Sequence, residues 1–145
     1  MAKNVLVFRQ TYLPVSETFI AEHIKNLRSW APFPICETRV DNNHTDLKES
    51  TALISTSKHI GRIERYLLRN RGINRSLSKL VKRVRPSLIH AHFLTDASIV
   101  MRFATRHEIP LVATAHGYDA STWDNDLSLT PGGNWFVGRE SSNRN

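Results

Sequence analysis

The sequence predicts an α/β fold built on a mostly parallel sheet, on three observations. Val5–Phe8 and Leu111–Ala115 are short, almost wholly apolar runs, the pattern of strands buried on both faces. Between such runs, apolar residues recur at helical spacing, in 17–28, in 60–84 and from about Thr95 or Asp96 to Arg106. The order strand, helix, strand across 87–115 is that of a βαβ unit with a right-handed crossover.

Size and charge narrow the reading. A chain of 145 residues with 40% apolar side chains is one domain's worth with enough material for a core. The single cysteine, Cys36, excludes an internal disulfide and fits a reducing compartment. No apolar run approaches the roughly 18 residues of a membrane span, and the opening run before Arg9 is too short for a signal peptide. A cytoplasmic chain is expected. From Lys58 to Arg85, ten basic side chains face one acidic one, Glu64, a segment charge of +9 within a chain of +7. Such a block points to a phosphate-bearing partner: nucleic acid, anionic lipid or a phosphorylated substrate. The plainer reading is a solvated helix surface.

The elements follow in order. Asn4–Arg9 is a strand, and Gln10–Val15 a loop. Ser16 is placed to cap a helix over Glu17–Arg28 that turns Phe19, Ile20, His23, Ile24 and Leu27 to one side. His23 on that side reads as core. Pro32 and Pro34 break the chain before a weaker strand, Ile35–Val40. Asp41–Ser50 is a polar loop, and Thr51–Ser57 is either a short strand or irregular. Ile60, Ile63, Tyr66 and Leu67 line one helix, Asn70-Arg71-Gly72 stops it, and Ile73, Leu77, Leu80, Val81 and Val84 line the next. Ser87–His92 is a strand, and Val100, Phe103 and Ala104 face inward from the helix after it. Beyond Asp119 no period survives, so 1–120 is read as one domain and 121–145 as a poorly ordered tail.

In open α/β sheets, ligands bind beyond the carboxyl ends of the strands. Three such ends converge if the sheet is parallel: the Thr11–Ser16 loop, His92-Phe93, and His116 to Asp119. The helix after the first is a natural anion site. His116 reads as a hydrogen-bonding or proton-transfer group, or as a strand-end histidine satisfied by backbone. His90 and His92 share a strand face. With His116 and Asp119 they fit a metal site weakly; the preferred reading packs one under the next helix and turns the other to the cleft. His44, His59 and His107 are expected at the surface, and Cys36 lacks the context of a nucleophile. No Gly-rich phosphate loop is present.

Three motifs in register, Thr11 to Ile20 (TYLPVSETFI), Leu88 to Phe93 (LIHAHF) and Pro110 to Asp119 (PLVATAHGYD), resemble the N-terminal domain of family 4 retaining glycosyltransferases of exopolysaccharide and colanic-acid type. The resemblance covers roughly residues 3–120. It implies a Rossmann-like three-layer α/β/α domain, one half of a GT-B fold that binds the acceptor, and transfer without an essential metal or cofactor. The nucleotide sugar would be the donor substrate, held by a second domain. His116 matches the catalytic histidine beside the donor sugar. Tyr12, Ser16, Glu17, His92, Gly117 and Asp119 match substrate-binding positions, with Pro14-Val15-Ser16-Glu17 standing where many relatives have a Gly pair. Arg62, Arg65, Arg69, Arg75, Lys79, Lys82 and Arg83 correspond to the basic face that meets anionic membrane and lipid-linked acceptors at the inner membrane surface. The family's donor half has no counterpart here, so the expectation is a truncated copy, inactive alone. A small basic module for nucleic acid or anionic phosphorylated ligands is the alternative; Tyr66 is the only aromatic near the basic block, so nucleic acid is not the expected partner.

Overall fold

The structure, a computed structural model, describes residues 2–12, 18–39, 50–115 and 136–137. Among the described residues, six strands form one sheet: β1 Lys3–Tyr12, β2 Trp30–Arg39, β3 Thr51–Ala52, β4 Leu88–Ala91, β5 Leu111–Ala113 and β6 Phe136–Val137. Their spatial order is β3-β2-β1-β4-β5-β6, and each of the pairings is parallel. The α/β class and the parallel sheet expected from the sequence are therefore present.

Helix α1, Thr18–Asn26, covers one face of the sheet; α2 Lys58–Arg71, α3 Arg75–Val84 and α4 Leu94–Arg106 lie on the other. The apolar run in β1 shows why both layers are required. Val5 and Val7 pack with Ile20, Ile24 and Cys36 on the α1 side. Leu6 and Phe8 alternate to the opposite side, against Ile35, Ile89, Val100 and Phe103. None of these four β1 residues exceeds 3% exposure, so a run with no polar alternation is what a doubly covered strand requires.

The expected break at Pro32 and Pro34 is corrected: both lie inside β2. Cys36 turns its carbonyl towards β3, accepting from Leu53 N–H at 2.8 Å. By alternation Pro32 and Pro34 turn the same way, along the stretch of β2 before β3 begins. No ladder donor is needed there, and this is the edge position in which a strand tolerates proline. The ambiguous segment after it gives the two-residue β3 and then a loop.

Helix α2 departs most from expectation. Ile60, Ile63 and Tyr66 are not inward; they are 54%, 61% and 57% exposed. The helix instead presents Gly61 and Leu68 to the interior. Arg69 and Arg65 on this side reach Glu37 of β2, which is 1% exposed, and Glu64 accepts from Ser55 N–H at 2.6 Å. A buried carboxylate needs a counter-charge more than exposed isoleucines need cover, so polar pairing sets the helix's rotation.

Helix α3 buries Leu77, Leu80 and Val84 as its spacing predicts, while Ile73, just before it, stays exposed. Its N-cap is Asn74, whose side chain accepts from Leu77 N–H at 2.8 Å and donates to Leu53 O at 2.9 Å. Asn74 is 3% exposed, so removing it strands buried backbone groups. Asn74→Ala is expected to lower stability by about 2 kcal/mol, combining a lost cap with an unsatisfied carbonyl; urea unfolding measures it, and a loss under about 0.5 kcal/mol would contradict the double role.

Helix α4 buries Val100, Phe103 and Ala104 as expected. Neither Thr95 nor Asp96 caps it: the N-cap is Phe93, without a side-chain cap bond. Strand β5 spans only Leu111–Ala113, with Thr114 and Ala115 continuing outside the regular ladder. Of the expected tail, Phe136 and Val137 pair with Val112 and Ala113; the rest of 121–145 lies outside the described residues, as does most of the Asp41–Ser50 loop.

Candidate functional site at the carboxyl edge

Since β1, β4 and β5 are adjacent and parallel, the chain leaves all three along one edge. Tyr12 is the last residue of β1, His92 and Phe93 follow β4, and His116 comes three residues after Ala113, the end of β5. Ser16, Glu17, His116, Gly117 and Asp119 lie outside the described residues. Thr114 is held at the edge by its N–H to Ala91 O, 2.9 Å, and by its hydroxyl to His90 Nε2, 2.8 Å.

A charged pair that sequence reasoning missed closes the β1–α4 side. Arg9 Nη1 lies 2.9 Å from each carboxylate oxygen of Asp96. Gln10 N–H donates to Asp96 Oδ1 at 3.3 Å. The guanidinium also lies 4.3 Å from the ring centre of Phe93, a cation–π distance. Asp96 is fully buried in the first turn of α4, where the helix dipole favours a negative charge. The signal for this pair was present: Arg9 prolongs the apolar run of a buried strand, and a charge there requires a partner on a neighbouring element.

On the α1 side three imidazoles meet. His90 and His92 have ring centres 4.6 Å apart, and His23 approaches them at 5.3 and 5.2 Å. His90 and His92 are buried, at 9% and 2% exposure, and His23 comes from α1. The expectation of His23 as plain core is corrected: the residue is not buried, although its ring touches those of His90 and His92. The expectation that one of His90 and His92 packs under the next helix while the other turns to the cleft is corrected: both are buried, with their rings side by side.

The basic block divides. Arg69 forms a two-pronged contact with Glu37, Nε–Oε1 3.0 Å and Nη2–Oε2 2.8 Å, and Arg65 adds a contact at 3.6 Å. These two arginines fasten α2 to β2. Arg62, Arg75, Lys79, Lys82 and Arg83 stand exposed. Among the described residues no helix is long and apolar enough to cross a membrane.

The model of Glycosyltransferase Family 4 matches residues 36–144, most of the chain. This chain belongs to glycosyltransferase family 4. The match starts later than the resemblance of the three motifs, within β2, and runs on through the segment after Asp119. No curated protein and no solved structure matches the chain. Membership makes this a domain of a sugar-transferring family, and the parallel sheet with helices on both faces is the arrangement such a domain needs.

Proposed function

We propose that this family 4 domain is the acceptor side of a retaining, exopolysaccharide-type glycosyltransferase. It would take a sugar from a nucleotide-sugar donor and pass it to a saccharide or lipid-linked acceptor, without a cofactor. The observation that carries the reading is the family match across 36–144. In support, the strand ends β1, β4 and β5 share one edge, where open α/β sheets take ligands. His116 is assigned to the reacting centre, with Tyr12, Ser16, Glu17, Gly117 and Asp119 around the substrates. Holding both reactants in one geometry is what makes transfer fast, so a donor-binding domain working with this one is part of the proposal.

The test is a chimera that joins this chain to the nucleotide-sugar-binding domain of a family 4 enzyme, assayed for nucleotide release with a panel of sugar donors and saccharide acceptors. Turnover is expected from the chimera, not from the 145 residues alone. His116→Ala in the chimera is expected to cost about 100-fold or more in kcat, the usual scale for a positioned proton-transfer group. Unchanged kcat would remove His116 from the reaction, and turnover by the 145 residues alone would remove the acceptor-half assignment.

The outer surface supports action at a membrane face. Ile60, Ile63 and Tyr66 stand exposed on α2 with Arg62, and Arg75, Lys79, Lys82 and Arg83 stand exposed on α3. Exposed apolar side chains together with exposed cations suit an anionic bilayer, which takes the former into its boundary and the latter among its headgroups. Sedimentation with vesicles containing phosphatidylglycerol is expected to capture the chain at low salt and release it at high salt. Replacing Ile63 and Tyr66 with serine is expected to weaken capture at least about 10-fold, on the scale of burying two apolar side chains. Equal partition to neutral and anionic vesicles, or no capture, would contradict it. For nucleic acid, the commitment of Arg65 and Arg69 to Glu37 leaves fewer arginines to meet phosphates.

A further inference from the structure

We infer that His23, His90 and His92 form a binding site for a first-row divalent transition metal ion, zinc being the natural probe, at the α1 side of the sheet's carboxyl edge. The inference goes beyond glycosyl transfer and does not rest on it. Three imidazoles from separate positions in the chain offer one ring nitrogen each, and these atoms all lie within 4.8 Å of one another. Tetrahedral zinc with Zn–N bonds of about 2.0–2.1 Å places its ligand nitrogens about 3.4 Å apart. Closing the remaining gap requires side-chain rotation of order 1 Å. His23 can supply it, because it is less buried than the other two.

The elements around the cluster are those of a metal site. The two buried rings are i and i+2 at the end of β4, the spacing that puts both on one face of a strand. Val7, the β1 residue registered with His90, packs with Ile20 and Ile24 of α1, so the helix that carries His23 is anchored against the same sheet face. His90 Nε2 lies 2.8 Å from Thr114 Oγ1. A ring that donates Nε2–H to this hydroxyl carries its lone pair on Nδ1, and such a fixed tautomer is the usual arrangement around metal-bound histidine. Neutral imidazoles suit zinc, copper, nickel and cobalt rather than magnesium or calcium. Three protein nitrogens leave a fourth position for water or another small oxygen ligand.

The competing account is that the three rings merely pack edge to face. The test uses the tag-free chain, stripped with chelator and titrated with Co²⁺ and then Zn²⁺. Expected are one equivalent of bound Co²⁺ with the visible d–d bands of a four-coordinate nitrogen site, and their loss as Zn²⁺ displaces it. His23→Gln is expected to weaken binding about 100-fold or more, and Thr114→Val about 10-fold, the scale of ligand and supporting-contact losses. His59→Gln, on the exposed surface of α2, is expected to leave binding unchanged. Imidazole resonances of His23, His90 and His92 are expected to take paramagnetic shifts from Co²⁺ in the unsubstituted chain, a readout independent of whether a variant folds. No stoichiometric uptake, binding by His23→Gln equal to the parent, an equal loss in His59→Gln, or paramagnetic shifts elsewhere would each overturn the site.

Discussion

Asp96→Ala is expected to destabilise the domain by about 3–5 kcal/mol, the range for breaking a buried ion pair from one side. The alanine would leave the Arg9 guanidinium, whose side chain is 16% exposed, without the carboxylate it now contacts at 2.9 Å. It would also remove the acceptor of Gln10 N–H and a negative charge from the first turn of α4. Against a total stability of roughly 5–15 kcal/mol, this loss is severe. The pair ties the last turns of β1 to the start of α4, so the damage should concentrate at the carboxyl edge. Replacing both partners with apolar residues, Arg9→Met with Asp96→Leu, is expected to recover much of the loss, because no buried charge then remains. Urea unfolding of the single and double variants measures both effects. A single-variant loss below about 1 kcal/mol would show that the pair is not what holds this edge.

Gly72→Ala is expected to cost roughly 2–5 kcal/mol, from two separate causes. Gly72 ends α2 in the left-handed region, φ 61°, with its N–H capping the helix. A Cβ there would also meet Arg102 O at 2.5 Å, Arg102 C at 2.6 Å and Phe103 N at 2.8 Å, all backbone of α4. Backbone in a packed helix does not move aside as a side-chain tip would, so the helices must separate. Asparagine tolerates the left-handed region but brings the same Cβ. Gly72→Asn is therefore expected to recover little of the loss, and near-native stability of that variant would show that conformation, not the close approach of α2 to α4, demands the glycine.

The readable parts of the sequence were those where one cause acts alone. Val5–Phe8 is buried on both sides, so its composition states its environment directly. Leu77, Leu80 and Val84 follow a helical period with no competing polar demand, and β4-α4-β5 follows from chain order. The less readable parts are those where a distant partner overrides the local pattern. Helix α2 turns Ile60 and Ile63 outward because Glu37, far back in the sequence, draws Arg69 inward. Pro32 and Pro34 read as breakers because the half-bare edge of β2 depends on how short β3 is. Asp96 looked like a cap because its partner Arg9 stands 87 positions away. At the site, the convergence of strand ends was legible from parallel order alone. The meeting of His23 with His90 and His92 was not, because it depends on how α1 lies across the sheet.

The most direct test of the central claim, that substrate binds along the shared carboxyl edge of β1, β4 and β5, is amide chemical-shift mapping of the isotope-labelled chain titrated with neutral and acidic oligosaccharides. Perturbations are expected at Arg9, Gln10, Phe93, Leu94 and Thr114. Saturable perturbations gathered instead at the opposite edge, around Asn4, Ser87 and Ile109, would contradict it.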